Sequence, residues 1–430
     1  MTRGGASPRG PRRPRLPARA GSLLQGGVER ARALVRELRD ARRIAWRLDL
    51  AARCDFDDQD LARNRAQLEA AARLTEPVRT VNWYLPAFEH AFYGGVHTVL
   101  RFASGWRSRH RIESRFLVHD EPGADGDALG ARIAEAFPDL AGSTVRVVRG
   151  PGEGPAADAG IATLWTGAYL LLKDRDVRRK LYFLQDDERL FYAAGTQSAL
   201  AGATWRFGFP AIVNTPGLRD VYVRETGAPA FAFVPAVDPA VFHPAAVRPP
   251  GRFRVFFYAR PRNDRNAFEL GLAALAALRR RRGDAVEIVA AGSGVPRAIT
   301  GRFPEISFRG LLPYAATGDL YRACEAGLAL MLTRHPSYLP FELMACGAVP
   351  VVNVNADNAW LLRDGENAVV CEPAVSSLCA GLERLLDDPA LRERLSAEAQ
   401  RTVARYAWEE QVDEAARFLE SPQAFVSGGA

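Results

Sequence analysis

The sequence predicts an α/β protein built from two parallel-sheet domains, and three observations carry that expectation. From Val78 onward short apolar runs alternate with helical patterns, the rhythm of a parallel sheet covered on both faces. The alternation pauses once, at the Pro-rich connector Val234–Gly251 (VPAVDPAVFHPAAVRPPG), and then resumes. At 430 residues the chain is also too long for a single core. Two Rossmann-like domains joined by a Pro-rich hinge place the C-terminal ends of their strands across one cleft, where a site for two substrates belongs.

Taken in order, residues 1–21 mix Arg, Pro, Gly and Ala and are expected to form a disordered basic arm. No adequate apolar core follows these basic residues, so a signal peptide is not expected. Residues 22–77 read as a helical extension, with an amphipathic helix over residues 27–50. Ala31, Leu34, Val35, Leu38, Ala41, Ala45 and Leu48 make its stripe, and Arg32, Arg36, Arg39, Arg43 and Arg47 fall largely elsewhere. That pattern suits an anionic membrane surface, or packing on the chain's own domain or on a partner.

The first domain, residues 78–245, carries strand patterns at Arg79–Leu85, Ser114–Val118, Thr144–Val148, Leu181–Leu184, Ala211–Asn214 and Ala230–Val234. Helical patterns fall between most of them, as at Val96–Phe102, Asp127–Phe137, Thr166–Leu172 and Gln197–Trp205. The second, residues 246–406, repeats the theme with strands at Arg254–Tyr258, Val286–Ala290, Leu328–Leu332, Val349–Asn353 and Ala368–Cys371. Its helices are expected at Ala267–Arg280, Gly318–Cys324, Pro340–Cys346, Ser376–Leu386 and Leu391–Tyr406. Residues 407–430 hold a last helix, Glu409–Leu419, and a polar tail.

Composition narrows the class. Hydrophobic content of 48% with 25% charged residues is that of an ordinary globular chain. Cys54, Cys324, Cys346, Cys371 and Cys379 are odd in number and lack zinc spacing, so they read as reduced core thiols of a cytosolic protein. No apolar run reaches the length of a membrane span. The net charge is +7 and the only lysines are Lys173 and Lys180, so the basic residues are almost all Arg. A basic arm alone can contact nucleic acid, but no recognition module with interleaved aromatics accompanies it, and no nucleic-acid partner is expected.

Four stretches carry chemistry. In HPSYLPFELMACGAVPVVN, His335–Asn353, Glu342 stands near the start of an apolar helix ahead of a buried strand. A carboxylate there suits a hydroxyl-rich ligand, or simply answers the helix dipole. In AFYGGVHTVLRFA, Gly94 and Gly95 follow the first strand and open a helix, so their amides can approach an anion or merely form a tight turn. The pair is not a GxGxxG fingerprint. His97 beside it can touch a phosphate or sugar hydroxyl, or lie on the helix surface.

In VFFYARPRNDRNAFELGL, a strand ends at Tyr258, and Arg260, Arg262 and Arg265 occupy the following turn. Guanidinium forks at a strand end suit a pyrophosphate, against the alternative of a solvated loop. In YFLQDDERLFYAAG, Gln185, Asp186, Asp187 and Glu188 follow a strand at the cleft edge. The cluster reads as an acceptor-binding loop, a capped loop or an acidic metal site, although its spacing gives the metal no independent support. No Ser/His/Asp arrangement, P-loop or HExxH occurs.

These residues carry a resemblance. GAVPVVNVNADNAWLLRDGENAVVCEP and LERLLDDPALRERLSAEAQRTVARYAWEEQ resemble the second domain of the retaining GT-B glycosyltransferases of family 4, and VPAVDPAVFHP resembles the segment joining their domains. FYARPRNDRNAFELGL is similar to their phosphate-binding turn, with Arg260 in the Arg place and Arg265 in the Lys place. YFLQDDERLFYAAGTQSALAGATWRFGFPAIVNTPGL and HPSYLPFELMACG resemble the WsaF-like rhamnosyltransferases of surface-polysaccharide assembly. The resemblance spans Val78 to Leu419.

What it implies is a glycosyltransferase that moves a hexosyl group, rhamnosyl from dTDP-rhamnose by preference, onto a growing glycan, lipid-linked or free. Residues 78–245 would face the acceptor and residues 246–406 the nucleotide sugar. Arg260, Arg265 and Glu342 would be the catalytic set; Gly94, Gly95, Tyr258, Asn266, Ser337 and Tyr338 would complete the donor site. His97, Gln185, Asp186 and Glu188 would lie on the acceptor side. No cofactor or metal is expected and retention is implied; apart from the resemblance, the basic amphipathic pattern of residues 1–50 would let a cytoplasmic protein touch the inner face of the membrane. The family carries a second Glu eight positions before the one matched by Glu342, and here that position is Arg334 or is lost in a shorter loop at Ser337–Pro340. The rival implied by that departure is a catalytically silent nucleotide-sugar-binding subunit.

Overall fold

The computed structural model describes residues 18–92, 94–121, 123–245 and 251–425, with residues 18–28 and 30 entering through their backbone alone. It divides into two units, residues 1–55 and 56–430. Most of the arm expected to be disordered, and part of the Pro-rich connector, lie outside the described residues.

The first unit is one long helix, α1, Ala18–Arg53. It outruns the expected 27–50 at both ends, because Ala, Leu and Arg dominate its sequence and are strong helix formers. Ala18–Gly21 are therefore helical, which corrects the expected disorder up to residue 21.

The second unit opens with α2, Asp58–Ala71, started by a reciprocal capping box between Asp57 and Asp60. Asn64 Nδ2 donates to the Phe207 carbonyl at 2.7 Å, so α2 packs on the domain that follows it rather than extending away from it. That domain's sheet is formed by β1 Thr80–Pro86, β2 Glu113–His119, β3 Val145–Val147, β4 Ala157–Ala162, β5 Val177–Leu184, β6 Ala211–Asn214 and β7 Ala230–Phe233. The order is β3-β2-β1-β4-β5-β6-β7 and every pairing is parallel. Its helices are α3 Gly94–Gly105, α4 Gly126–Ala136, α5 Trp165–Lys173, α6 Thr196–Ala203 and α7 Pro216–Thr226.

The next sheet combines β8 Phe253–Tyr258, β9 Val286–Ala291, β10 Ile306–Phe308, β11 Ala326–Leu328, β12 Val349–Asn353 and β13 Val369–Cys371. It is also wholly parallel, in the order β10-β9-β8-β11-β12-β13. Around it lie α8 Phe268–Arg282, α9 Arg297–Thr300, α10 Tyr314–Arg322, α11 Leu339–Ala345, α12 Val375–Asp387 and α13 Pro389–Val403. Each sheet winds outward from its first strand in both directions. A crevice therefore opens between β1 and β4 in one and between β8 and β11 in the other.

The last helix, α14 Trp408–Glu420, does not stay with the second sheet. Trp408, Val412, Ala415, Phe418 and Leu419 are buried in the first domain's core beside Phe102 and Trp106. Trp106 Nε1 donates to the Val412 carbonyl at 3.0 Å. All five cysteines are buried and lie outside any disulfide.

Three departures from the expected elements have physical causes. Strand β4 (ADAGIA) lacks the β-branched signature because α5 lies tight against it: a Cβ on Gly160 would stand 2.7 Å from Leu171. The expected strand Leu328–Leu332 is Ala326–Leu328 instead, since the chain leaves the sheet and turns Leu332 to solvent. Helix α7 was not expected, yet its ends were marked by Pro216 in the first turn and by Gly227 at φ 68.

Candidate active site

The loops that leave β1, β8 and β11 converge at the two crevices. From β1 the chain enters α3 through Gly94, at φ 70 with open space where a Cβ would be. Gly95 is held by Gln185, whose Nε2 donates to its carbonyl at 3.1 Å, so Gln185 braces the glycine turn. His97, Thr98 and Arg101 follow on the face of α3 that lines a cavity of about 180 Å³. The His97 ring lies 5.1 Å from that of Phe137 and 5.6 Å from that of Tyr314, the latter across the cleft. Burial first, then the neighbouring Arg101 cation, push its pKa down to about 4, so the imidazole is neutral near pH 7.

From β8 the chain reaches Arg260, whose guanidinium carbon sits 5.2 Å over the Tyr258 ring. Arg260 lines this cavity and a second of about 360 Å³, which it shares with Phe191, Tyr192, Arg262 and Arg265. Among the described residues Arg260 has no carboxylate partner, which leaves its charge for an anion. Arg265 is differently placed: its guanidinium lies 4.1 Å over Phe191, and Nε is 3.8 Å from Asp186 Oδ2. Asn266 is buried, donating to the Leu330 carbonyl at 3.3 Å, and so braces the exit of β11. Its expected contact with a donor is corrected to that structural role.

From β11 the chain passes through Thr333, Arg334 and His335 into α11. Ser337 takes φ 69 and donates its amide to His335 Nδ1 at 2.9 Å, which aims α11 at the cavity. Tyr338 crosses to the first domain, where its hydroxyl lies 2.7 Å from Thr98 Oγ1 and accepts from Asn214 Nδ2 at 3.4 Å. Glu342 lines the 180 Å³ cavity with Tyr258, Tyr314 and Tyr321. Burial raises its pKa from 4.5 to about 7, offset in part by the Tyr321 hydroxyl.

The acidic loop does not open toward a ligand. Asp186 accepts from Thr333 Oγ1 at 2.7 Å, and Asp187 pairs with Arg189 at 2.7 Å and Arg334 at 3.1 Å. Glu188 Oε2 accepts from the Tyr182 hydroxyl at 2.5 Å inside the first domain. Burial lifts the pKa of Asp186 to about 6 and of Glu188 to about 8. The expected acceptor role of Glu188 is thus corrected: at 3% exposure it is a core group. Asp186 and Asp187 clasp the two domains together. Among the described residues no group of three His, Cys, Asp or Glu could hold a metal ion.

Sequence reasoning missed Gly292, although AAGSG after a strand was a visible signal. Gly292 takes φ 147, and a Cβ there would stand 2.0 Å from the Ala259 carbonyl oxygen. It permits the loops after β8 and β9 to touch and form the cavity floor. Arg101, Tyr314, Tyr321 and Trp408 also line that cavity, and no local pattern announced them.

Two wholly parallel sheets with paired crevices across one cleft, closed by a terminal helix that returns to the first domain, define the GT-B fold. At the level of structure the chain is similar to the sucrose-phosphate synthase of Thermosynechococcus elongatus, with a TM-score of 0.61 and 14% identity over 81% of this chain and all of that one. It is equally similar to Anabaena HepE in complex with UDP-glucose, with a TM-score of 0.61 and 14% identity over 80% of this chain and 99% of that one.

At the level of sequence, residues 253–383 match the family model described as WsaF, C-terminal domain. The O-antigen biosynthesis protein RfbC of Myxococcus xanthus is 46% identical over 349 residues, 80% of this chain. The chain spans 27% of that relative's length.

Proposed function

We propose that the chain is a glycosyltransferase acting in surface-polysaccharide synthesis, with its donor, a nucleoside diphosphate sugar, in the cleft. The observation that carries this reading is one cavity walled by Glu342 and floored by Gly292, with Arg260 on one rim and the Gly94 turn on the other. Glu342 accepts hydrogen bonds from hydroxyls of the nucleoside sugar. Arg260, with Arg265 behind it, meets the diphosphate, where charge develops as the bond from the sugar's anomeric carbon to the phosphate oxygen breaks. The electron pair stays with the diphosphate. An acceptor hydroxyl oxygen bonds to the anomeric carbon, and its proton passes to the departing phosphate if the configuration is retained.

The favoured donor is dTDP-rhamnose, and its support is the likeness to WsaF. The O-antigen role of the Myxococcus relative supports a glycan acceptor, lipid-linked or free. A thermal-shift titration with dTDP, UDP and GDP, with and without magnesium, tests the donor. A ligand at a hundredfold excess over its dissociation constant stabilises the folded state by about 2.7 kcal/mol. Selective stabilisation by dTDP that survives chelation supports the reading, a preference for UDP or GDP moves the donor, and no response to any nucleotide refutes it.

One observation favours a second reading. Arg334, which stands eight positions before Glu342, is committed to Asp187 at 3.1 Å and Asp357 at 2.7 Å, so if it holds the place of the family's other Glu it offers no acceptor to a sugar hydroxyl. A silent nucleotide-sugar-binding subunit would bind the donor without cleaving it. Single-turnover donor cleavage separates the two.

A further inference from the structure

Helix α1 is amphipathic, strongly basic and exposed. At about 100° per residue, Leu34, Leu38, Ala41, Ala45 and Leu48 share one face, while Arg32, Arg36, Arg39, Arg43 and Arg47 share the opposite one. Leu34, Leu38 and Leu48 are 56%, 53% and 67% exposed, so this face is uncovered. Charge is segregated with it. Residues 1–53 hold fourteen Arg against Glu29, Glu37, Asp40 and Asp49, a formal +10 in a chain of +7, so the remainder is −3.

We propose that α1 docks lengthwise on an anionic lipid surface. Two features of the helix select that occupant over a second copy of the chain. One is charge: a second copy would bring a like +10 segment against this one, whereas anionic headgroups complement it. The other is the spread of apolar side chains beyond the stripe, interrupted by Glu37, Arg42 and Asp49, to Val35 and Trp46 on one flank and Ile44 on the other. Val35, Trp46 and Ile44 are all half-exposed or more. A flat interface meets such a spread of side chains, takes the amphipathic Trp46 ring at headgroup depth, and leaves the Arg face within a Debye length of anionic headgroups. Among the described residues no helix is long and apolar enough to cross a membrane, and the ~54 Å length of α1 suits one lying along the surface.

This inference does not rest on the reading of the cleft. The test is flotation of the full chain with vesicles of phosphatidylcholine alone, and of phosphatidylcholine with about a third phosphatidylglycerol, at two salt concentrations. Binding is expected to the anionic vesicles, weakened by salt, with at least a ~10-fold lower partition to neutral ones. The double variant L38E/L48E is expected to lose ~10-fold or more, since two Leu side chains that enter the lipid on docking are replaced by charges. A triple reversal, R36E/R39E/R43E, should lose as much while keeping the apolar stripe. Absence of binding to anionic vesicles, or equal partition of both variants and the parent chain, overturns the proposal. So does a lipid-free, concentration-dependent dimer that L38E/L48E dissociates, because a second copy would then be the occupant.

Discussion

Replacing Glu342 by Gln should stabilise the free protein and weaken its hold on the nucleotide, two effects of opposite sign from one side chain. The carboxyl's pKa is raised by burial from 4.5 to about 7 in the folded chain. A carboxyl so raised binds its proton more tightly when folded, so its unfavourable contribution is absent below pH 4.5 and grows as pH rises toward 7. At about 1.4 kcal/mol per decade, this reaches an upper bound of about 3.5 kcal/mol above neutrality.

Gln keeps the shape and removes the charge. Near pH 8 the variant should therefore melt a few degrees higher than the parent, with the gap closing as the pH falls below 5. A ligand hydroxyl that donates to the ionised carboxylate contributes about 1.5–3 kcal/mol, so calorimetric titration should find the nucleotide bound ~10- to 100-fold more weakly by the variant. Equal melting temperatures across the pH range together with an unchanged dissociation constant would refute both the burial argument and the assignment of Glu342 to the donor. A change in acceptor affinity alone would move Glu342 to the other substrate.

Arg260→Ala should lower kcat by about 100- to 1000-fold while leaving the melting temperature almost unchanged, because its charge is free for a ligand. Steady-state kinetics beside a melting curve checks this, and parallel losses in both would count against a phosphate role. Gly292→Ala should fail in folding rather than in chemistry. Its added methyl would meet the Ala259 carbonyl at 2.0 Å at a φ of 147 that Ala rarely adopts, and soluble yield with a normal melting transition would contradict the close approach.

The parts of the site that were legible sit where strands end. Gly94 opens α3 in the loop after β1, Arg260 follows β8, and Glu342 lies in the first turn of α11 in the segment after β11, all at the crevice side of a parallel sheet. Gln185, Asp186 and Glu188 occupy an equivalent boundary after β5, yet only tertiary context separates a carboxylate that faces a ligand from one that meets Thr333 or Tyr182. Asn266 was misread for the same reason: one residue beyond Arg265, it turns inward to the Leu330 carbonyl. Strand β4 hid because close helix packing selects Gly and Ala, and these erase the hydrophobic signature that marks its neighbours. The cavity wall built by Arg101, Tyr314 and Trp408 gathers residues from three distant helices, a juxtaposition that no local window contains.

The return of α14 to the first domain has a consequence for synthesis on the ribosome. Trp106 and the Val412 carbonyl it meets are 306 residues apart. At about 5–20 residues per second, the first domain waits roughly 15–60 s after Trp106 is made before its closing helix emerges. During that interval Phe102 lacks the Trp408 ring, Phe231 the Phe418 ring and Trp106 its Val412 acceptor. The first-made domain is thus among the last to be completed.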